Sequence, residues 1–393
     1  MNKILAFVKR EVVLCVALLL AVVSSFIVKP DAGYIDYVDF RTLAILFSLM
    51  CVMAGLQELG VFKKTAEGLL KSVSGERGIA MVLVLLCFFF SMLITNDVAL
   101  ITFVPFTFTT LRLSGEETYK KLVIPVVVLQ TVAANLGSML TPIGNPQNLY
   151  LYSKAQMGFG EFILLMLPYT VAAFAGIVLF VIFKTSKPEK NGKEKKNQES
   201  VPSKRLTVTE MFANSQTKYH SLLIMYILLF VVALFVVLRV LPYQIMFFIT
   251  LILVLLSDRK TLLKVDYSLL LTFVGFFVFI GNMGRIPQFS DFLQRIVNGH
   301  ETLTAVVSSQ AISNVPAALL LSGFTTNYRE LIVGANIGGL GTLIASMASL
   351  ISYKMIAKEE DVDTGKYFGQ FTLKNIEFLV IMIAVYVVLL LFK

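Results

Sequence analysis

Ser91–Phe106 reads SMLITNDVALITFVPF, and the reading of its middle decides the fold. Between Arg77 and Arg112 every residue is apolar or uncharged except Asp97, which follows Thr95 and Asn96. An ionisable group at bilayer depth is costly, so such a residue marks a functional site. A second interrupted apolar run, QAISNVPAALLLSGF, covers Gln310–Phe324 with Asn314 in its middle. One interruption in each half of the chain is the sequence sign of a transporter built from two repeats.

Composition agrees with a membrane setting. The chain is 57% hydrophobic and 15% charged. Several runs reach the roughly 20 apolar residues that cross a bilayer. The pattern predicts an all-α polytopic membrane protein, because the short alternating strands of a barrel are missing from it. The net charge of +9 comes from Lys and Arg clustered in loops. The positive-inside rule accounts for them, and no nucleic-acid partner is implied. Cys15, Cys51 and Cys87 sit in apolar segments without metal-ligand spacing, and His220 and His300 make no motif. Met1–Val28 reads as an uncleaved first span, since the run is long and shows no small-residue cleavage site.

Lys3, Lys9 and Arg10 precede the first span at Val12–Val28, and Asp31, Asp36 and Asp39 follow it. This places the N-terminus in the cytoplasm. Thr42–Leu59 returns inward. In Val61–Val73, Phe62, Leu69, Leu70 and Val73 share a face opposite Lys63, Lys64 and Lys71, the pattern of an interfacial helix. Two apolar arms, Gly78–Thr95 and Val98–Leu111, then flank Thr95–Asp97, with Arg77 before them and Arg112, Lys120 and Lys121 after. Basic flanks on both sides predict a re-entrant hairpin over about 78–112 that opens to the cytoplasm. Non-helical backbone at its tip must line a cavity or be buried in protein. Leu122–Leu140 runs into TPIGNPQN at Thr141–Asn148, where Pro and Gly predict a break. Phe162–Phe183 ends this first repeat, 1–184, and a basic cytoplasmic linker spans 185–220.

The second repeat, 221–393, opens with crossings at Ser221–Leu238, Ile245–Leu256 and Ser268–Met283. Ile286–Val297 resembles the first interfacial helix but lies outside. A second hairpin, about 300–325, turns around Ser313, Asn314, Val315 and Pro316 and opens to the extracellular side. Leu331–Tyr353 is a Gly-rich crossing, and Asn375–Phe392 leaves the C-terminus outside. TVAANLGSMLTPIGNPQNLYLY from Thr131 aligns with IVGANIGGLGTLIASMASLISY from Ile332. Asn135 then pairs with Asn336, Gly137 with Gly338, Thr141 with Thr342 and Tyr152 with Tyr353. The orientations make this an inverted-topology repeat, each copy with a hairpin and a broken helix.

Four broken places are expected to converge: Thr95–Asp97, Ser313–Pro316, Thr141–Asn148 and Thr342–Ser349. Helix N-termini there suit an anion, while unwound carbonyls and Asn, Ser and Thr oxygens suit Na⁺. No Lys or Arg lies within these segments. A bound anion therefore needs a companion cation, because uncompensated charge at depth is expensive. Asp97 reads as a ligand for that cation, a proton carrier or a neutral structural acid, and Asn135 and Asn336 as ligands or interhelical glue. An intramembrane enzyme would need a second deep acid or a Ser/His pair, and only one acid is deep. No cofactor is expected beyond Na⁺ or H⁺ as coupling ion.

TNDVAL, SNVPA, NLGSMLTPIGNPQN and GANIGGLGTLIAS together resemble the ion transporter superfamily over nearly the full chain. That group includes divalent anion:sodium symporters, citrate permeases, arsenite permeases and cation/proton exchangers. The resemblance implies that Asn96 and Asn314 contact a small anionic substrate of the di- or tricarboxylate type. It implies one cation site near Thr95, Gly144 and Asn145, and another near Ser313, Thr342 and Ala345. It also implies a plasma-membrane homodimer with a mobile transport domain on a fixed scaffold. Asp97 and Val315 stand where the symporters carry Thr, and Asn-Asp with small apolar residues resembles the arsenite permeases. Oxyanion efflux and cation/proton exchange are therefore the alternatives to carboxylate symport. Thr95, Asn96, Asp97, Thr141, Ser313, Asn314, Pro316 and Thr342 are the candidate substrate contacts. Thr95, Asp97, Gly144, Asn145, Asn148, Ser313, Thr342 and Ala345 are the candidate cation contacts.

Overall fold

The computed structural model describes residues 7, 8, 11–184 and 213–392. Most of the basic linker expected at 185–220 lies outside the described residues, as do Lys3, Lys9 and Arg10. The first half contains α1 (Val12–Ile27), α2 (Tyr34–Tyr37), α3 (Phe40–Glu58), α4 (Val61–Leu70) and α5 (Gly75–Ile94). It continues with α6 (Asn96–Leu113), α7 (Glu116–Ser138), α8 (Pro146–Lys154) and α9 (Phe159–Lys184). The second half holds α10 (Ala213–Val237), α11 (Tyr243–Ser257), α12 (Tyr267–Gly284), α13 (Pro287–Val297) and α14 (Glu301–Ile312). It ends with α15 (Asn314–Ser322), α16 (Tyr328–Ile337), α17 (Met347–Ile356) and α18 (Thr364–Leu391). Seven of these (α3, α5, α7, α9, α10, α12 and α18) are long and apolar enough to cross a membrane. The protein is an all-α polytopic membrane protein, and no strand occurs among the described residues.

The run α3 to α9 is matched element for element by α12 to α18. Each run starts at an aspartate that accepts a backbone N–H of the first turn, Thr42 N to Asp39 Oδ1 at 3.0 Å and Leu269 N to Asp266 Oδ1 at 2.9 Å. Such caps satisfy amides that a helix start leaves without partners. Each run then has a short amphipathic helix, a two-helix hairpin, a broken helix and a long final helix.

Polar contacts fix where each hairpin opens. Glu76, at the start of α5, accepts from Thr118 (3.2 Å) and Lys121 (2.8 Å) at the start of α7. Arg112, at the end of α6, donates to Tyr119 at 3.3 Å. Both arms of the first hairpin therefore end beside the start of the broken helix α7–α8. The second hairpin repeats this at α16, with Thr302 donating to Glu330 (2.8 Å) and Thr325 to Glu301 (2.9 Å). Arg112 also pairs with Glu359, just past α17, while Arg329 of α16 pairs with Glu161 of α9 at 2.5 Å. Each broken helix thus ends beside the start of the other, and the two run antiparallel.

Packing does not follow the sequence halves. The α1 helix packs on α12, and α3 packs on α10 and α11, forming one group. The two hairpins, the two broken helices, α9 and α18 form the other, built around α7. The most apolar stretch of α7 is 89% buried inside the protein, against 17% for α18, so α7 is the axis and α18 the rim. Helices in a membrane associate through close packing of small residues, since lipid offers no hydrophobic gain. Gly137 shows this: a Cβ there would run into the Phe88 carbonyl and the Ser91 hydroxyl of α5. Overpacking against fixed backbone costs about 1–3 kcal/mol or more. Gly137→Val is expected to lower the melting temperature in detergent by several degrees. Gly158→Ala, where nothing lies within 4 Å, should leave it unchanged.

In α4, Phe62 and Ala66 are buried, while Leu69 on the same side of the helix is 45% exposed. One sequence expectation is corrected. The last helix starts at Thr364, not Asn375, capped by Asp363. Its early charges are tolerated because Lys374 pairs with Glu377 (2.5 Å) and lies 3.9 Å over the Phe180 ring.

Candidate functional site

The hairpin tips are single residues. Thr95 (φ 73°, ψ 151°) ends α5 and caps α6, and Ser313 (φ 72°, ψ 153°) ends α14 and caps α15. Positive φ in a non-glycine residue costs on the order of 1–3 kcal/mol and survives only where surroundings enforce it. Here the enforcing contact is the same in both copies. Asn96 N donates to the Gly144 carbonyl at 3.1 Å, and Asn314 N to the Ala345 carbonyl at 2.9 Å. The tip carbonyls then open the next helices, accepting from Ala99 and Ala317, each at 3.0 Å.

The loop breaks are braced in parallel. Thr141 Oγ1 donates to the Met92 carbonyl at 2.5 Å, and Thr342 Oγ1 to the Gln310 carbonyl at 3.2 Å. Both hydroxyl protons are committed to hairpin backbone, which makes these threonines braces of the tips. Thr342 is also exposed. Gly144 admits no side chain, because a Cβ would meet the Ser138 carbonyl.

Two buried asparagines join the copies. Asn135 Oδ1 accepts from Asn96 Nδ2 (3.1 Å) in its own repeat and from Ser346 Oγ (2.9 Å) in the other, while its Nδ2 reaches Ser349 Oγ at 3.4 Å. Asn336 does the reverse, accepting from Asn145 Nδ2 (3.3 Å) and donating to Asn148 Oδ1 (2.6 Å). The shift that aligns Asn135 with Asn336 also aligns Asn145 with Ser346 and Asn148 with Ser349. The exchange is therefore reciprocal, and both asparagines act as glue between the broken helices. The first tip and both breaks meet through these bonds, and the second tip joins them through Asn314 N and the Ala345 carbonyl.

The tips are shorter, and the two breaks earlier, than the sequence suggests. Asn96 and Asp97 lie in the first turn of α6, and Asn314, Val315 and Pro316 in that of α15. Pro146, Gln147 and Asn148 already belong to α8. Proline at a helix start loses no hydrogen bond, and Asn145 caps the helix by accepting Asn148 N at 3.1 Å. The expectation of free N–H groups at α6 also fails. Asn96 Oδ1 takes the Asp97 N–H at 3.0 Å, and Thr95 Oγ1 takes that of Val98 at 3.5 Å. Pro316 has no N–H to offer. Donors for an anion must instead come from side chains.

Asp97 stands apart from this self-satisfied network. Its Oδ1 is enclosed and has no hydrogen-bond partner, and no Lys or Arg pairs with it among the described residues. An enclosed carboxylate oxygen without a donor makes Asp97 the candidate contact for a cation or a proton. Sequence reasoning missed Ser346, Ser349 and Gln310. The repeat alignment pointed at the first two, since they fall opposite Asn145 and Asn148, and nothing in the sequence marked Gln310.

Paired hairpins tied to paired broken helices, inside an all-helical membrane bundle, define a membrane transporter. The chain belongs to the citrate transporter family, whose model matches residues 3–327. It is 34% identical over 318 residues to an uncharacterized transporter of Methanocaldococcus jannaschii, covering 81% of each chain. It is 29% identical over 340 residues to the inner membrane protein YbiR of Escherichia coli, covering 84% of each. It is 28% identical over 156 residues to a silicon efflux transporter of Oryza sativa, covering 40% of this chain and 31% of that one.

Proposed function

We propose that this protein moves a small di- or tricarboxylate across the plasma membrane, coupled to Na⁺ or H⁺. The observation that carries this reading is the pair of strained tips, Thr95 and Ser313, each bonded to a broken helix and cross-linked through Asn135 and Asn336. A site made of two hairpins can open to either side in turn, which suits alternating access. Asn96 and Asn314 are the proposed anion contacts, helped by the side chain of Ser313. Thr95, Asp97, Gly144 and Asn145 are the proposed cation contacts. The family match supports a carboxylate substrate.

The same reading gives a topology. Glu58–Lys264, Glu76–Lys121 and Arg112–Glu359 gather at one end of the molecule, with Lys63, Lys64 and Lys71. Asp31–Arg285 and Glu161–Arg329 gather at the other. The more basic end is assigned to the cytoplasm, with an inverted-topology repeat, a cytoplasmic N-terminus and an extracellular C-terminus. The group of α1, α3 and α10–α12 is the proposed scaffold and homodimer surface, and the hairpin group the moving part.

Oxyanion efflux is the second reading. It is favoured by Asp97 at the first tip and by the similarity to the rice silicon efflux transporter.

Ligand-induced stabilisation of the purified protein tests the choice. A ligand at a hundredfold excess over its Kd adds about 2.7 kcal/mol. Citrate or succinate is expected to raise the melting temperature by several degrees, and more with Na⁺ or at lower pH than without either. Stabilisation by arsenite or silicate alone would shift the assignment to oxyanion efflux. No response to any of these anions would remove the proposed site.

A further inference from the structure

Away from the hairpins, a groove of about 610 Å³ lies between α3, α11 and α12. Leu43 and Phe47 of α3, Phe247 and Leu251 of α11, and Leu270 of α12 line it, together with Leu262 of the turn that joins α11 to α12. Apart from Gln244 and two tyrosine rings, every lining side chain is aliphatic or phenyl. The groove reaches from Tyr243, in the first turn of α11, to Tyr267, at the start of α12. Tyrosine favours membrane–water interfaces, which places the two ends of the groove at headgroup level.

We propose that this groove holds one acyl chain of an anionic phospholipid, whose headgroup rests on Arg259 and Lys260. The proposal is independent of the transported anion and of the coupling ion, and uses only the membrane setting of the helices.

Charge at one end of the groove carries it. The turn after α11, Ser257–Lys264, reads SDRKTLLK. Its acid and one of its bases are already committed within the protein. Asp258 Oδ2 accepts from Tyr226 at 3.0 Å and from Thr261 at 2.8 Å, and Lys264 pairs with Glu58. Arg259 and Lys260 are exposed, and neither forms an ion pair among the described residues. Two unpaired cations beside the end of an apolar groove fit a lipid phosphate, since basic pockets between membrane helices bind acidic headgroups.

The length of α11 adds a second reason. Its 15 residues rise about 22 Å, short of the roughly 30 Å hydrocarbon core. A short span draws headgroups toward its ends, and a lipid lying in the groove can bring its phosphate to Arg259 and Lys260.

The groove by itself retains no particular lipid, because tails exchange for tails without hydrophobic gain. The headgroup contact supplies the preference. Each Lys or Arg near the surface is worth about a fivefold enrichment of acidic lipid, so the two together give on the order of thirtyfold.

The test counts lipids by native mass spectrometry. Purified full-length protein is given equal amounts of phosphatidylglycerol and phosphatidylcholine with the same acyl chains. One phosphatidylglycerol per chain is expected, retained about thirtyfold over phosphatidylcholine. The preference should vanish in the double variant Arg259→Gln, Lys260→Gln, whose exposed positions leave the fold unchanged. Leu251→Trp, which fills the groove, should lose the bound lipid although both cations remain. Equal retention of the two lipids by the wild type would overturn the proposal. So would an unchanged preference in the double variant, or a lipid retained by folded Leu251→Trp. Phe248, at the lip of the groove, is 56% exposed. A disulfide joining two chains through Phe248→Cys in liposomes would place a second copy on the groove and overturn the proposal as well.

Discussion

Liposomes carrying Asp97→Asn are expected to lose gradient-driven anion uptake by at least a hundredfold, while the protein still inserts and elutes as a folded species. The substitution keeps the shape of the side chain and removes its charge. Asp97 Oδ1 has no hydrogen bond to lose, so the fold should barely notice the change. The coupling ion does notice. Removing one partner of a buried charge pair costs about 3–5 kcal/mol, and each 1.4 kcal/mol is about a factor of ten in binding. A transporter that binds its cation a hundredfold or more weakly cannot load it from an ordinary gradient. Uptake at the wild-type rate in Asp97→Asn would leave Asp97 as a structural acid.

Asn96→Ala and Asn314→Ala are each expected to reduce uptake to background. Asn96 holds two positions at once. Its Nδ2 bonds Asn135 at 3.1 Å and its Oδ1 takes the Asp97 N–H at 3.0 Å, so alanine frees both the tip and its link to the other repeat. The backbone bond to the Gly144 carbonyl remains, but the tip loses its side-chain tie to Asn135. Asn314 has fewer bonds within the protein, and its Nδ2 lies against Gly339, where a Cβ would touch it. That leaves its amide available to a substrate, so its loss should fall on anion binding with little change in melting temperature. Asn96→Ala should lower both uptake and stability. Wild-type rates in either variant would remove the two-hairpin site.

Much of this arrangement was legible in the sequence. Asp97 alone in an apolar run marked the first tip, and the match of Asn135 with Asn336 marked the repeat. Lys and Arg in the loops marked where the apolar helices end, because their cost in lipid leaves them few other places. The limits of the breaks were not legible. Pro146 reads as a breaker, yet at a helix start it costs nothing once Asn145 supplies the cap. Asn96 and Asp97 likewise read as loop residues, yet a single strained residue before them suffices to turn the chain. Which side chains meet across the repeats depends on tertiary packing. Ser346 and Ser349 look like ordinary small residues until Asn135 is placed beside them. Gln310 looks like a surface amide near a helix end, and only the path of the second break shows what it fills.

The central claim is that a small carboxylate crosses the membrane through the paired hairpins together with a cation. Uptake of labelled citrate and succinate into liposomes bearing the purified protein tests it most directly, first under an inward Na⁺ gradient and then under an inward H⁺ gradient. Accumulation above the equilibrium level under one of these gradients, and none when the gradient is collapsed, is the expected result. Folded protein that takes up neither carboxylate under either gradient would contradict it.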